Sequence, residues 1–285
     1  MTVGHYRIHA VETGRFALDG GAMFGIVPKS LWEKRIPADE SNRIPLAARC
    51  LLLVGENRRI LVDTGTGDKW DGRSRSIYKI DTASVNLERS LKELGITREE
   101  ITDVWCTHLH FDHAGGNTSR NDAGEIVPTF PNARYWVQKS NWELANHPSE
   151  KDRASYLPEN WRVLAENGMV EIVDGEEEFI PGIGLFVAQG HTAGQQLPRI
   201  SDGQRTLFFG GDLFPTVAHL NIPWVMAYDN YPLTTISEKK GLLPIMAEEG
   251  WILFFEHDPR YEAVTVSFDG RKYGPAETVS VEELS

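Results

Sequence analysis

A chain of 285 residues with 41% hydrophobic content has ample material for one large core. Its formal charge of −12 and pI near 5.2 argue against binding nucleic acid or an anionic membrane through a general basic surface. Two cysteines exclude a disulfide framework, and no apolar run reaches the roughly 18 residues of a membrane span. The N-terminus Met1-Thr2-Val3-Gly4-His5 shows no basic-then-apolar signal, so a soluble, cytoplasmic protein is expected.

In chain order, residues 5–19 alternate well enough to predict a strand pair turning near Glu12-Thr13-Gly14. The stretch from about 19 to 36 is glycine-rich and apolar without a helical or strand period, and reads as a loop. Its Met23, Phe24, Ile26 and Trp32 either plug back into the core or wall an apolar substrate pocket. Residues 48–54 and 59–63 predict a hairpin around Gly55-Glu56-Asn57, with Cys50 as a small buried hydrophobe. Residues 64–80 are polar and irregular. Leu87, Leu91 and Leu94 then mark one face of a helix ended by Gly95, and Thr97 with Glu100 reads as a capping box.

Val104-Trp105-Cys106 closes a buried strand, and Thr107-His108-Leu109-His110-Phe111-Asp112-His113-Ala114-Gly115-Gly116 leaves its carboxyl end, where open α/β sheets carry their sites. Three histidines and an aspartate within six residues offer nitrogen and carboxylate donors suited to zinc and related divalent ions. Residues 117–133 read as a long loop, 133–137 as a strand and 138–146 as a helix. A polar insertion follows over about 147–160, in which His147 reads as a solvated surface histidine. Strands over 170–173 and 184–188 lead to His191, and a strand over 206–210 leads to Asp212. The acidic run from Asp174 to Glu178 reads as a solvated turn. Residues 213–234 are rich in proline and aromatics. A helix near 237–249, a buried strand ending at Phe255 before His257, and a hairpin at Asp269-Gly270 complete the chain. No linker or repeat divides it, so 1–285 reads as a single domain.

His108-x-His110-x-Asp112-His113 resembles the signature of the metallo-β-lactamase superfamily, and His191, Asp212 and His257 follow in that family's order. The resemblance implies an α/β fold, a four-layer αββα sandwich with the site at the sheet edges. It implies two divalent metal ions, zinc first, with iron, cobalt or manganese as alternatives. His108, His110 and His191 would bind one, Asp112, His113 and His257 the other, with Asp212 bridging. Two such ions sharing a water lower its pKa toward neutrality and polarise a carbonyl. Asp112 would pass a proton to the leaving oxygen. Asp63, in Leu61-Val62-Asp63-Thr64-Gly65, would orient a ligand histidine or serve a purely structural role.

The 19–32 segment, with Ile44-Pro45-Leu46, is similar to the quorum-quenching N-acyl-homoserine lactonases, in the branch that also resembles methyl parathion hydrolases. That similarity implies hydrolysis of the lactone ring of N-acyl homoserine lactones by a metal-bridging hydroxide. The alternatives are an organophosphate or aryl-ester hydrolase, and a glyoxalase-II-like thioesterase, on the same dinuclear site. A sensor that binds without turnover is a further class. The expected partner is a small lactone or ester, with no nucleic acid, no membrane, and a homodimer as an option. Where the best-known lactonases place a tyrosine three residues after the bridging aspartate, this chain has Pro215. His219 is the chosen substitute donor, with Tyr228 or Tyr231 as alternatives and Tyr228 also a candidate substrate contact.

Overall fold

A computed structural model describes residues 1–282 as two compact units. One is formed by residues 1–4, 16–47 and those from 176 onward, the other by 5–15 and 48–175. The strands, in chain order, are β1 (Thr2–Val3), β2 (Tyr6–Asp19), β3 (Arg43–Val54), β4 (Arg59–Val62), β5 (Asp103–Trp105), β6 (Thr118–Arg120), β7 (Ile126–Pro128) and β8 (Arg134–Gln138). They continue as β9 (Val170–Val173), β10 (Ile183–Ala188), β11 (Gln195–Ser201), β12 (Thr206–Phe209), β13 (Ile252–Phe254), β14 (Ala263–Phe268) and β15 (Tyr273–Val279).

In the 48–175 unit, β3 and β4 form the expected hairpin, with Leu51 opposite Val62 and Leu53 opposite Ile60. From β4 the sheet continues in parallel through β5, β8 and β9. β5 is therefore an inner strand, which explains why all three of its residues are buried. Leu52, Leu61, Val104, Tyr135 and Val137 of these strands share one core with Leu91. Each such fully buried apolar side chain contributes roughly 1.5–3 kcal/mol relative to exposure. The helix Leu87–Glu93 is capped by the Asn86 side chain, which accepts from Arg89 N at 2.9 Å, and ends before Gly95 at φ +71°. The capping box of Thr97 and Glu100 is present at the 3₁₀ turn Arg98–Glu100.

The other unit is built on the sheet β10-β11-β12-β13-β14-β15. Only β12 and β13 run parallel, and the helix Pro232–Glu249 connects them. This helix begins five residues earlier than expected because Pro232 sits at its first position, where a missing N–H costs nothing. It ends at Gly250, φ +65°. Leu242, Leu243 and Met246 pack from it against Phe208, Leu253 and Val264.

Three expectations need correction. β2 is one continuous strand rather than a turning pair: the Thr13 hydroxyl donates to Ala48 O, and Arg15 exchanges backbone hydrogen bonds with Asp81. The 19–36 loop contains two short helices, Gly20–Phe24 and Lys29–Trp32, the first capped by Asp19, which accepts from Ala22 N at 2.9 Å. The Trp32 ring closes over Gly20, where a Cβ would lie 2.4 Å from it, so this glycine is required by close approach. Residues 117–133 contain the β6–β7 hairpin, turning at Gly124.

Candidate metal centre

The loop leaving β5 carries the first donor set. Cys106, Thr107 and His108 are buried as they leave the sheet, and His110 stands at the N-cap of the helical turn Phe111–Ala114. His108 Nε2 and His110 Nδ1 lie 2.9 Å apart, a spacing at which two imidazoles share one proton or one cation. The backbone is held from both sides: Leu109 N donates to Asn141 Oδ1 at 3.0 Å, and Phe111 N to Ser155 O at 2.9 Å. Residues of the 147–160 segment thus brace the motif, and Tyr156 lies over His110 with ring centroids 4.6 Å apart. His147 is exposed, as expected.

Asp63 fixes the next histidine. Its Oδ2 is 3.0 Å from His113 Nδ1 and accepts the Thr107 hydroxyl at 2.6 Å, while Oδ1 accepts Thr107 N at 2.7 Å. With Nδ1 engaged by a carboxylate, His113 presents Nε2 as its donor atom, and Asp112 Oδ1 lies 4.0 Å from that nitrogen. Asp63 adopts φ +59°, a left-handed conformation that aspartate tolerates better than most residues. Gly115 and Gly116 pass so close to the 64–66 backbone that a Cβ on either would fall within 2.3 Å of a carbonyl oxygen. That contact makes the motif's glycines obligatory here.

The second donor set belongs to the other unit and again sits at carboxyl ends of strands. His191 follows β10, Asp212 follows β12 and His257 follows β13; all three are buried. Asp212 addresses two histidines at once: Oδ2 is 3.1 Å from His191 Nε2, and Oδ1 is 3.2 Å from His257 Nε2. The opposite nitrogens are held by the protein. His191 Nδ1 faces Asp229 Oδ1 at 3.0 Å, and His257 Nδ1 donates to Ala47 O at 2.9 Å while Ala47 N donates back to His257 O. Burial alone would lower the His191 pKa. The Asp212 and Asp229 carboxylates outweigh it and hold the imidazole up to about 9. The pocket favours positive charge, and a divalent ion meets that demand as a proton does.

His113, His191 and His257 thus each have one ring nitrogen fixed by the protein, and each donor set adds a carboxylate and is buried. Imidazole and carboxylate groups of this kind are able to bind a divalent metal. Asp229 escaped sequence reading because it is a lone acid in an irregular stretch. Its neighbour Tyr228 is half-buried.

His219 does not offer a free donor. Its Nε2 donates to Met23 O at 2.9 Å, its Nδ1 accepts from the Thr216 hydroxyl at 2.8 Å, and Phe24 stacks on the ring at 4.9 Å. Burial and the Lys239 ammonium push its pKa down to about 4, so the ring is neutral. It pins the 19–32 segment to its unit. Met23, Phe24 and Trp32 are 2%, 0% and 1% exposed, so the core-plug reading holds for them, whereas Ile26 is 91% exposed. An aromatic group that sequence reading missed lies beside the first donor set: Trp70, Tyr78 and Phe111 are mutually in contact, with centroids 5.0–5.6 Å apart. Tyr78 is half-buried, and burial together with the Asp112 charge raises its phenol pKa.

Both cysteines are buried thiols outside any disulfide among the described residues, and burial pushes the Cys106 thiol up to about 12. Among the described residues no helix is long and apolar enough to cross a membrane.

Comparison with known proteins agrees with this geometry. A crystal structure of a probable metal-dependent hydrolase from Staphylococcus aureus is 33% identical, covers 98% of this chain and 100% of that one, and superposes with a TM-score of 0.87. An N-acyl homoserine lactonase from a Bacillus species is 28% identical over 77% of this chain and 84% of its own length. A structure of an N-acyl homoserine lactone hydrolase with N-hexanoyl-L-homoserine bound at its catalytic metal centre is 25% identical. It covers 91% of this chain and 95% of that one, with a TM-score of 0.67. The family described as the metallo-beta-lactamase superfamily matches residues 43–280, a span that takes in both donor sets. With fold, donors and family match in agreement, this chain belongs to the metallo-beta-lactamase superfamily and is a metal-dependent hydrolase of it.

Proposed function

We propose that this hydrolase opens the lactone ring of N-acyl homoserine lactones, using two divalent ions held jointly by the two donor sets. His108, His110 and His191 would hold one ion, Asp112, His113 and His257 the other, and Asp212 would bridge. The observation that carries the dinuclear reading is Asp212, which turns one oxygen to each of two histidine Nε2 atoms. The lactone assignment is supported by the Bacillus lactonase and by the product-bound hydrolase. Zinc suits the donor types, as do iron, cobalt and manganese.

When bound, the ions would supply a water acidified toward neutral pH and an electrophile for the lactone carbonyl. The chain's own residues do the rest. Asp63, Asp229 and the Ala47 carbonyl hold His113, His191 and His257 in the tautomer that presents Nε2. Asp112 would carry a proton to the alkoxide leaving group as the ester C–O bond breaks, giving the hydroxy acid. Of the residues proposed to touch substrate, Ile26 and Tyr228 retain exposed surface, whereas Met23, Phe24 and Trp32 support the segment from beneath. Ile26 and Leu31, exposed on the same segment, would equally suit contact between two copies of the chain.

The test is ring opening of short- and long-chain N-acyl homoserine lactones, followed by proton release. Metal-loaded, chelated and reloaded protein would be compared, with paraoxon and a glutathione thioester alongside. Metal-dependent lactone turnover well above the other two supports the proposal. A fully loaded protein that leaves lactones intact overturns it, and faster phosphotriester or thioester cleavage reassigns the substrate.

A further inference from the structure

A second site of a different character lies in the unit built on β10–β15. A cavity of about 300 Å³ opens between the segments at 34–36, 217–224, 258–261 and 272–275. Four cationic side chains line it: Lys34, Arg35, Arg260 and Lys272. They come from three separate stretches of a chain whose formal charge is −12, so their convergence runs against the overall charge. All four are exposed, and among the described residues none of their head groups makes an ion pair or hydrogen bond. Lys272 feels the carboxylate of Asp269 only at longer range.

One carboxylate lines the cavity, and it is committed elsewhere. Asp258 Oδ2 accepts Val217 N at 2.9 Å, and Oδ1 accepts Arg260 N and Tyr261 N, each at 2.8 Å. Those bonds fasten the walls together, and four cations against one carboxylate leave the lining with a net positive charge of three. Trp224, Tyr261 and Tyr273, each half-buried, supply aromatic wall. Like charges gathered around a concave, partly apolar surface repel one another and focus a positive potential into it. An anion relieves that repulsion, and an aromatic wall favours one with a flat body.

We propose that this cavity is a binding site for a small planar organic anion carrying phosphate or carboxylate groups. Guanidinium and ammonium groups would pair with its charged end, and the aromatic wall would take its ring.

Calorimetric titration of the metal-loaded protein at low ionic strength tests this, with AMP, isophthalate and inorganic phosphate as probes. AMP binding more tightly than phosphate identifies a phosphate-bearing ring compound, and isophthalate as the tightest identifies a carboxylate. Lys34→Glu/Arg260→Glu should weaken the preferred probe about tenfold or more, because charge-assisted contacts become repulsion. The charge-matched control Arg7→Glu/Lys240→Glu, on exposed positions outside the cavity, should leave it unchanged. Thermal melting checks that both variants are folded. Absence of saturable binding by all three probes overturns the proposal. So does binding that survives the cavity variant, since it would then lie elsewhere, at the metals included. None of these readouts depends on lactone turnover.

Discussion

The Asp63 carboxylate and the His113 ring meet at 3.0 Å in a fully buried contact, fifty residues apart in sequence. Because Asp63 also accepts the Thr107 backbone and hydroxyl, one side chain fixes both the ligand histidine and the strand exit that carries it. Asp63→Asn keeps the size and tolerates the positive φ, but with one acceptor oxygen in place of two it cannot serve Thr107 N and His113 Nδ1–H at once. Metal affinity, measured by competition with a chelator, should fall about 10- to 100-fold. Unchanged affinity would make the contact purely structural.

Asp212 is the only side chain of its donor set that addresses two histidine Nε2 atoms. In Asp212→Asn one of the two oxygens becomes an NH₂ group, which cannot ligate. The expected result is a drop from two bound ions per chain to one or fewer by elemental analysis, with turnover reduced by about 100-fold or more. Retention of two ions would remove the bridging role.

How much of this was legible in the sequence depends on how local each feature is. The first donor set is compressed into six residues, so the motif announces itself, and His191, Asp212 and His257 each follow a readable strand. The Asp229–His191 contact links residues 38 positions apart through an irregular loop, and no local pattern encodes it. The 19–32 segment has no period because its order comes from tertiary contacts: Trp32 closing on Gly20, and His219 holding Met23 O. β2 reads as two strands in the sequence because a turn-like Thr13-Gly14 hides a strand that continues on partners from elsewhere in the chain.

His219 should give the protein an acid-sensitive joint. Its pKa is about 4 when folded and 6.5 in the reference state, so unfolding takes up a proton between those values. The stability it contributes is full above pH 6.5 and is lost as pH falls toward 4. Denaturant titrations from pH 4 to 7 should show a shallower pH slope for His219→Gln than for the natural protein. Equal slopes would mean that the ring charges without cost.

Lys239 acts in the opposite half of the pH scale. Burial lowers its pKa from 10.5 to about 7, against the attraction of Asp229. Its Nζ donates to Asn221 O at 3.0 Å and Trp224 O at 2.8 Å, and a neutral amine still has the two hydrogens these bonds need. Unfolding therefore takes up a proton between about pH 7 and 10.5, and this group makes the fold more stable as pH rises through that window. Lys239→Met should abolish that rise and speed hydrogen exchange in the 221–224 loop, whose two carbonyls lose their donor. A variant with the same pH slope would show that the lysine stays charged when buried.

The aromatic group of Trp70, Tyr78 and Phe111 would bear on substrate choice under the proposed function. Phe111 precedes Asp112 in the motif, Tyr78 packs on Phe111 at 5.0 Å, and Trp70 is held by its Nε1–H donating to Thr66 O at 2.8 Å. Tyr78 is close enough to feel the Asp112 charge, and its raised pKa keeps the phenol protonated across the working range, as a hydrogen-bond donor. If acyl chains of the proposed substrates lie along this surface, Trp70→Ala should raise KM for a long-chain lactone several-fold and leave the short-chain value nearly unchanged. A lost methylene contact is worth about 0.8 kcal/mol, or nearly fourfold in binding. Tyr78→Phe should instead lower kcat for both chain lengths if the phenol donates to the reacting ester, and neither if it serves only as apolar wall. A Trp70 variant that affects both chain lengths equally would show that the cluster supports the motif loop and does not select the chain.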